Sequence, residues 1–131
     1  MTGQANIQGL IDAVHRYFDR MYDSDVSRFD EVFRASAQLH GFQEGQMTAW
    51  SAAKFRDVIA GRPSPKALGA PRQEEILLVD FASATQALVK VRVRINAVVF
   101  VDYLTYHRIG DGWMITSKAY HVESRIPAAA A

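Results

Sequence analysis

Apolar residues recur at three- and four-residue steps through Ile7, Leu10, Ile11, Val14, Phe18 and Met21, which predicts an amphipathic helix at the start of the chain. Tyr17 and Tyr22 flank the stripe, while Asp12, Arg16, Asp19 and Arg20 fall largely off it. Ser24 is expected to cap a second, short helix, with Asp25 favourable in its first turn and Val26, Phe29 and Phe33 on one face. An extended piece, Ala37 to Phe42, follows, then a turn at Glu44-Gly45 and a return strand, Gln46 to Trp50. Ser51 reads as the N-cap of a third helix carrying Phe55, Val58 and Ile59, stopped by Gly61 and Pro63. The proline- and glycine-rich stretch from Gly61 to Arg72 reads as a loop, serving as a crossover or as the rim of a pocket.

From Gln73 onward the period changes to two. Glu75 to Phe81, Gln86 to Ile95, Val98 to Arg108 and Trp113 to Val122 are predicted strands. Asn96-Ala97 supplies a two-residue hairpin turn, and Asp111-Gly112 is a second strong hairpin signal. The first turn sets Ile95 opposite Val98, Val93 opposite Phe100 and Val91 opposite Asp102. One face of the earlier strand, Ala87, Val89, Val91, Val93 and Ile95, is wholly apolar, whereas its reverse carries Lys90, Arg92 and Arg94. The apolar face must be the covered one, so Asp102 points inward, among Val98, Phe100, Leu104 and Tyr106. A carboxylate there is costly unless it is paired or hydrated.

A two-residue turn at Asp111-Gly112 would set Arg108 opposite Ile115, Tyr106 opposite Ser117, and Asp102 opposite His121. A three-residue turn with a bulge would instead bring Tyr120 near Asp102 and reverse the facing of the last strand. The first register is preferred. It makes His121 the partner of Asp102, orienting it or shuttling its proton.

Composition narrows the rest. At 131 residues the chain fits one domain, residues 1–125, with 126–131 expected to form a flexible tail. A formal charge of +1 gives no electrostatic case for nucleic acid, and no apolar run is long enough to cross a bilayer. The polar start, Met1 to Asn6, lacks the pattern of a secretory signal, so a cytoplasmic location is the default expectation. There is no cysteine, which removes disulfides and thiolate chemistry, and the four histidines are too scattered for a metal site. His40 and His107 are expected at the surface or at a subunit contact. No cofactor signature is present.

Three helices followed by a curved antiparallel sheet is the order of the nuclear transport factor 2-like cone fold. The chain resembles the putative lumazine-binding branch of that superfamily in several segments. They are Tyr17-Phe18, Phe33 with Ala37 and Leu39, the run Phe100-Val101-Asp102-Tyr103-Leu104, then Gly112-Trp113-Met114-Ile115 and Lys118. The resemblance implies an α+β fold, a cone-shaped, mostly antiparallel sheet wrapped around three N-terminal helices. It also implies a conical pocket for a small molecule, and a homodimer through the outer sheet face. The basic row of Lys90, Arg92 and Arg94 suits such a contact, with Glu74, Glu75 or Asp80 as partners. Relatives include isomerases, dehydratases and cyclases as well as non-catalytic binders, and fold alone does not choose among them.

Two readings of Asp102 follow. In one it is a general base for cofactor-independent proton transfer, with His121 beside it and Tyr17 donating to a developing oxyanion. Trp50, Phe55, Phe100, Tyr106 and Phe18 would then bind the ligand, with Trp113 a further candidate wall. In the other, Asp102 is structural, tied to Tyr17, Lys118 or backbone amides, and the chain is a non-catalytic binding or dimeric interaction module.

Overall fold

The computed structural model describes residues 3–127, with side chains from Asn6 onward. Helix α1 (Gly3–Asp23) lays Leu10, Val14, Tyr17, Phe18 and Met21 into the core, as its stripe requires. It ends where Ser24 takes a left-handed conformation, φ +55°, and donates its backbone N–H to Arg20. Ser24 therefore closes α1 instead of capping the next element. The cap is Asp25, whose carboxylate accepts from the Ser27 amide at the start of a 3-10 turn, Val26–Glu31. Phe33 is not part of that turn; it opens strand β1 (Phe33–Gln43), which returns through β2 (Gln46–Ser51).

Ser51 does cap α2 (Ala52–Ala60), accepting from the Lys54 amide, and Phe55 and Ile59 face inward. The segment expected to be a plain loop contains a one-turn helix, α3 (Pro65–Leu68). Ser64 caps it, Pro65 sits where its missing N–H costs nothing, and Gly69 ends it at φ +65°.

Strands β3 (Glu74–Ser83), β4 (Gln86–Ile95), β5 (Val98–Ile109) and β6 (Gly112–Arg125) complete a six-stranded sheet in the order β2-β1-β6-β5-β4-β3. All pairings are antiparallel except β1 with β6. The fold is α+β, with the helices on the inner sheet face. Register across β4 and β5 is the one expected: Ile95 opposite Val98, Val93 opposite Phe100, Val91 opposite Asp102. Asn96 takes the positive φ of that turn, +56°.

The last hairpin differs from the preferred register. Its turn is Gly110-Asp111, with Ile109 opposite Gly112 and Arg108 opposite Trp113. Gly110 supplies the positive φ, +61°, so the turn forms one residue earlier than Asp111-Gly112 would place it. Tyr106 then pairs with Ile115 but Thr105 with Ser117, leaving Thr116 as an extra residue. This bulge reverses the alternation of β6. Trp113 and Ile115 face inward before it, and Lys118 and Tyr120 face inward after it. His121 lands opposite Val101 and is exposed. The Ile126 amide donates to the Ala97 carbonyl at 2.7 Å; residues 128–131 of the expected tail lie outside the described residues.

Candidate functional site

Asp102 is 1% exposed and opposite Tyr120, at the centre of the inner sheet face. Tyr17, fully buried on α1, donates its hydroxyl to Asp102 Oδ2 at 2.5 Å. Lys118 Nζ lies 3.9 Å from the same oxygen, and Oδ1 has no hydrogen-bond partner among the described residues. The lysine ammonium also sits 4.6 Å from the Phe55 ring centroid and 5.2 Å from that of Tyr17. Cation–π attraction thus adds to the single carboxylate in holding a basic group that is 5% exposed.

Burial dominates the ionisation of all three groups. It raises the Asp102 carboxyl, against the opposing pull of Lys118 and the Tyr17 hydrogen bond. It lowers Lys118, with Asp102 opposing and Arg62 reinforcing the shift. The Tyr17 hydroxyl is pushed well above its usual value by burial and by the carboxylate beside it. Both members of the acid–base pair are therefore moved toward neutrality, as expected when desolvation exceeds attraction across a gap too long for a direct hydrogen bond.

Lys118, not Asp102, reaches the pocket. A cavity of about 90 Å³ opens between α2 and the sheet, lined by Trp50, Phe55, Arg62, Phe100, Lys118 and Tyr120 among others. Trp50 and Phe55 stack at 6.2 Å, and Phe100 meets Tyr120 edge-on at 6.1 Å. The Tyr120 hydroxyl is hydrogen-bonded to Thr48 on β2. Gly41 makes room for it: a Cβ there would lie 2.6 Å from the ring and from the Tyr120 carbonyl. At this size the cavity suits a small ligand or part of one, since pockets for drug-sized molecules run to several hundred Å³.

The structure thus brings together Asp102, Tyr17, Trp50, Phe55 and Phe100 from the sequence-predicted set. It removes His121, which the bulge turns outward. Tyr106 and Phe18 are core residues rather than pocket walls, and the Tyr106 hydroxyl is buried without a partner among the described residues. Trp113 packs against Phe81 at 5.9 Å, away from this pocket. His107 is half-buried and bonded to Thr116, and Arg92 pairs within the chain with Glu75 and Glu123. Sequence reasoning placed neither Arg62 nor Tyr120 in the pocket and gave Lys118 only a structural role. Arg62 lies just beyond α2, where no periodicity applies, and the other two depend on a bulge that carries no glycine or proline mark.

The fold is that of nuclear transport factor 2-like proteins. The chain belongs to the family described as putative lumazine-binding, whose model matches residues 5–121. Among solved structures it is similar to an NTF2-like protein of unknown function from Silicibacter pomeroyi, with 23% identity and a TM-score of 0.80 over 94% of this chain and 100% of that one. A second such protein, from Shewanella baltica, has 20% identity and a TM-score of 0.81 over 95% and 98%. A ketosteroid isomerase-like protein from Erwinia carotovora atroseptica has 12% identity and a TM-score of 0.69 over 89% and 95%. At these identities the likeness is one of fold. No match was found among curated proteins. Among the described residues, no helix is long and apolar enough to cross a membrane.

Proposed function

We propose that the chain binds a small, flat organic molecule in the pocket between α2 and the sheet. Trp50, Phe55 and Phe100 would wall the ligand and Lys118 would meet it at the floor. The observation that carries this reading is the placement of a buried lysine at the end of an aromatic pocket, held from behind by Asp102 and Tyr17. A group so expensive to bury is poised to exchange part of its desolvation for contact with a ligand. The family's description, putative lumazine-binding, is consistent with a flat heterocycle or conjugated carbonyl compound.

A thermal-shift screen of such compounds against the wild type, Asp102→Asn and Lys118→Met tests the proposal. Hits should stabilise the wild type and lose their effect in Lys118→Met. Hits that stabilise all three equally would remove the site assignment.

A second reading, cofactor-independent proton transfer with Asp102 as the base and Tyr17 as a hydrogen-bond donor, is favoured by the raised carboxyl and its short contact with Tyr17. It requires Lys118 to swing aside, because Asp102 is not among the residues lining the pocket. Hydrogen–deuterium exchange at the acidic carbon of a bound ketone, lost in Asp102→Asn, would establish it; absence of exchange with every hit leaves a binding protein.

The homodimer belongs to the same proposal. Leu78, Lys90, Tyr103 and Ala119 form one row across the outer sheet face, with Leu78 and Tyr103 exposed. A second copy covering that row would remove an association hazard. Sedimentation of the wild type against Tyr103→Glu tests it: a dimer that becomes a monomer supports the contact, and a wild-type monomer refutes it.

A further inference from the structure

Arg62 follows Gly61, the residue that closes α2, and its side chain returns over the pocket. Its Nε and Nη2 atoms are buried and find no hydrogen-bond acceptor among the described residues. These two nitrogens form one edge of the guanidinium, the fork that matches the two oxygens of a carboxylate.

The same edge meets carboxylates elsewhere among the described residues. Arg20 presents Nε and Nη2 to Asp23 at 3.2 and 2.8 Å, and Arg28 presents them to Glu31 at 3.1 Å each. Arg92 presents them to Glu123 at 2.7 and 3.1 Å. In each case a carboxylate occupies the fork. At Arg62 the fork is withdrawn from solvent and empty, a condition that native proteins rarely leave uncompensated.

The surroundings fit an acid as the missing partner. Lys118 and Arg62 both line the cavity, against one nearby buried carboxylate, Asp102, which is already engaged by Tyr17. Arg62 is close enough to influence the ionisation of both Tyr17 and Lys118. The apolar walls are Trp50, Phe55, Val58, Ile95 and Phe100, and Gln43 and Tyr120 complete the lining.

We propose that the natural ligand is a small aromatic or conjugated carboxylate, its carboxyl group held by the Nε/Nη2 edge of Arg62 and its ring between Trp50 and Phe100. The ring lies against apolar walls, and Lys118 supplies a second positive charge below it. This inference rests on the pocket reading above. A phosphate monoester is the less suitable partner, because its dianion would need more charged donors than one arginine and one engaged lysine provide, with Gln43 the neutral donor beside them and the Tyr120 hydroxyl bonded to Thr48.

Benzoate, benzamide and phenyl phosphate serve as probes, titrated into the full chain and followed by NMR at the Trp50 and Phe100 resonances. Benzoate should bind at least about tenfold more tightly than its neutral isostere benzamide, the amount expected of one bidentate charged contact. Arg62→Gln should abolish that preference, leaving benzoate and benzamide equal in affinity, and Arg62→Lys should restore it only in part, since an ammonium lacks the fork. Circular dichroism confirms that each variant folds. Equal binding of benzoate and benzamide by the wild type, or a preference unchanged in Arg62→Gln, overturns the carboxylate assignment but leaves the pocket intact. Tighter binding of phenyl phosphate than benzoate overturns it as well. If no probe perturbs Trp50 or Phe100 at millimolar concentration, the pocket reading falls with it.

Discussion

The hydroxyl of Tyr17 and the carboxylate of Asp102 meet at 2.5 Å, fastening α1 to the centre of the sheet across 85 residues of chain. Among the described residues Oδ1 is unpartnered, and this is the one direct hydrogen bond that the carboxylate receives. Tyr17→Phe keeps the ring and its packing against Phe33 but removes the donor. A hydrogen bond to a charged group contributes about 1.5–3 kcal/mol, so urea denaturation should show a loss of that order with an unchanged m-value. A loss below about 0.5 kcal/mol would mean that Asp102 is satisfied by other means.

The Asp102–Lys118 pair should show the asymmetry of buried ions. Lys118→Met leaves the carboxylate with Tyr17 alone and should cost about 3 kcal/mol at neutral pH, whereas the double variant with Asp102→Asn should recover most of that loss. A double-mutant cycle from equilibrium unfolding measures the coupling. Strict additivity of the two substitutions would show that the pair does not interact across its 3.9 Å gap.

Stability should also depend on pH in two windows of opposite sign. The Asp102 carboxyl is raised from 3.8, so between that value and its folded value the native state holds the extra proton. The stability it contributes is complete below 3.8 and is lost as pH rises through the folded value. Lys118 is lowered from 10.5, so above its folded value the unfolded chain holds the extra proton, and stability is regained as pH climbs toward 10.5. Relative to Asp102→Asn with Lys118→Met, the wild type should therefore be least stable between the two windows. A wild-type-minus-variant difference that stays flat from acid to alkaline pH would contradict both shifts.

How far the sequence could be read depended on where chirality and side-chain period left marks. The β4–β5 hairpin was legible because Asn96 tolerates positive φ and because an unbroken apolar alternation from Ala87 to Ile95 admits one inner face. Those two facts alone oriented Asp102. The last strand was not legible for a matching reason. Gly110 and Gly112 both offer a turn, and the bulge at Thr116 is built from a residue equally at home in a regular strand. Two small shifts, one in the turn and one at the bulge, exchanged His121 for Tyr120 opposite the carboxylate and brought Lys118 inward. Arg62 left no trace in any periodicity, since it belongs to neither a helix nor a strand. The one-turn α3 was marked by Ser64-Pro65 and Gly69, but three prolines in close succession weighed toward a loop.

Gly41 carries a steric prediction. Because the Cβ of an alanine would fall 2.6 Å from the Tyr120 carbonyl as well as its ring, backbone as well as side chain must yield. Gly41→Ala should destabilise the protein by about 1–3 kcal/mol and displace the Tyr120 hydroxyl from Thr48, enlarging or closing the pocket mouth. Thermal unfolding and tyrosine NMR shifts check this; an unchanged Tyr120 environment would show that β1 can retreat from β6 without consequence.

Deleting Thr116 tests the device on which the site depends. With the extra residue gone, β6 can run as one regular alternation, because Ile115 and Lys118 then stand two positions apart on the same face. Trp113, Ile115, Lys118 and Tyr120 all stay inward, Asp102 keeps its cation and His121 stays outward. The deletion should therefore cost only the local geometry of the bulge, about 1–3 kcal/mol. Thr116→Ala keeps the extra residue and loses only the hydroxyl contacts with His107 and the Thr105 carbonyl, so its cost should stay near 1 kcal/mol. Near-ultraviolet circular dichroism and thermal denaturation of the two variants separate the outcomes. Loss of cooperative unfolding in the deletion variant, with the alanine substitution intact, would show that the bulge itself, beyond the facing it sets, is needed to shape the sheet around Lys118.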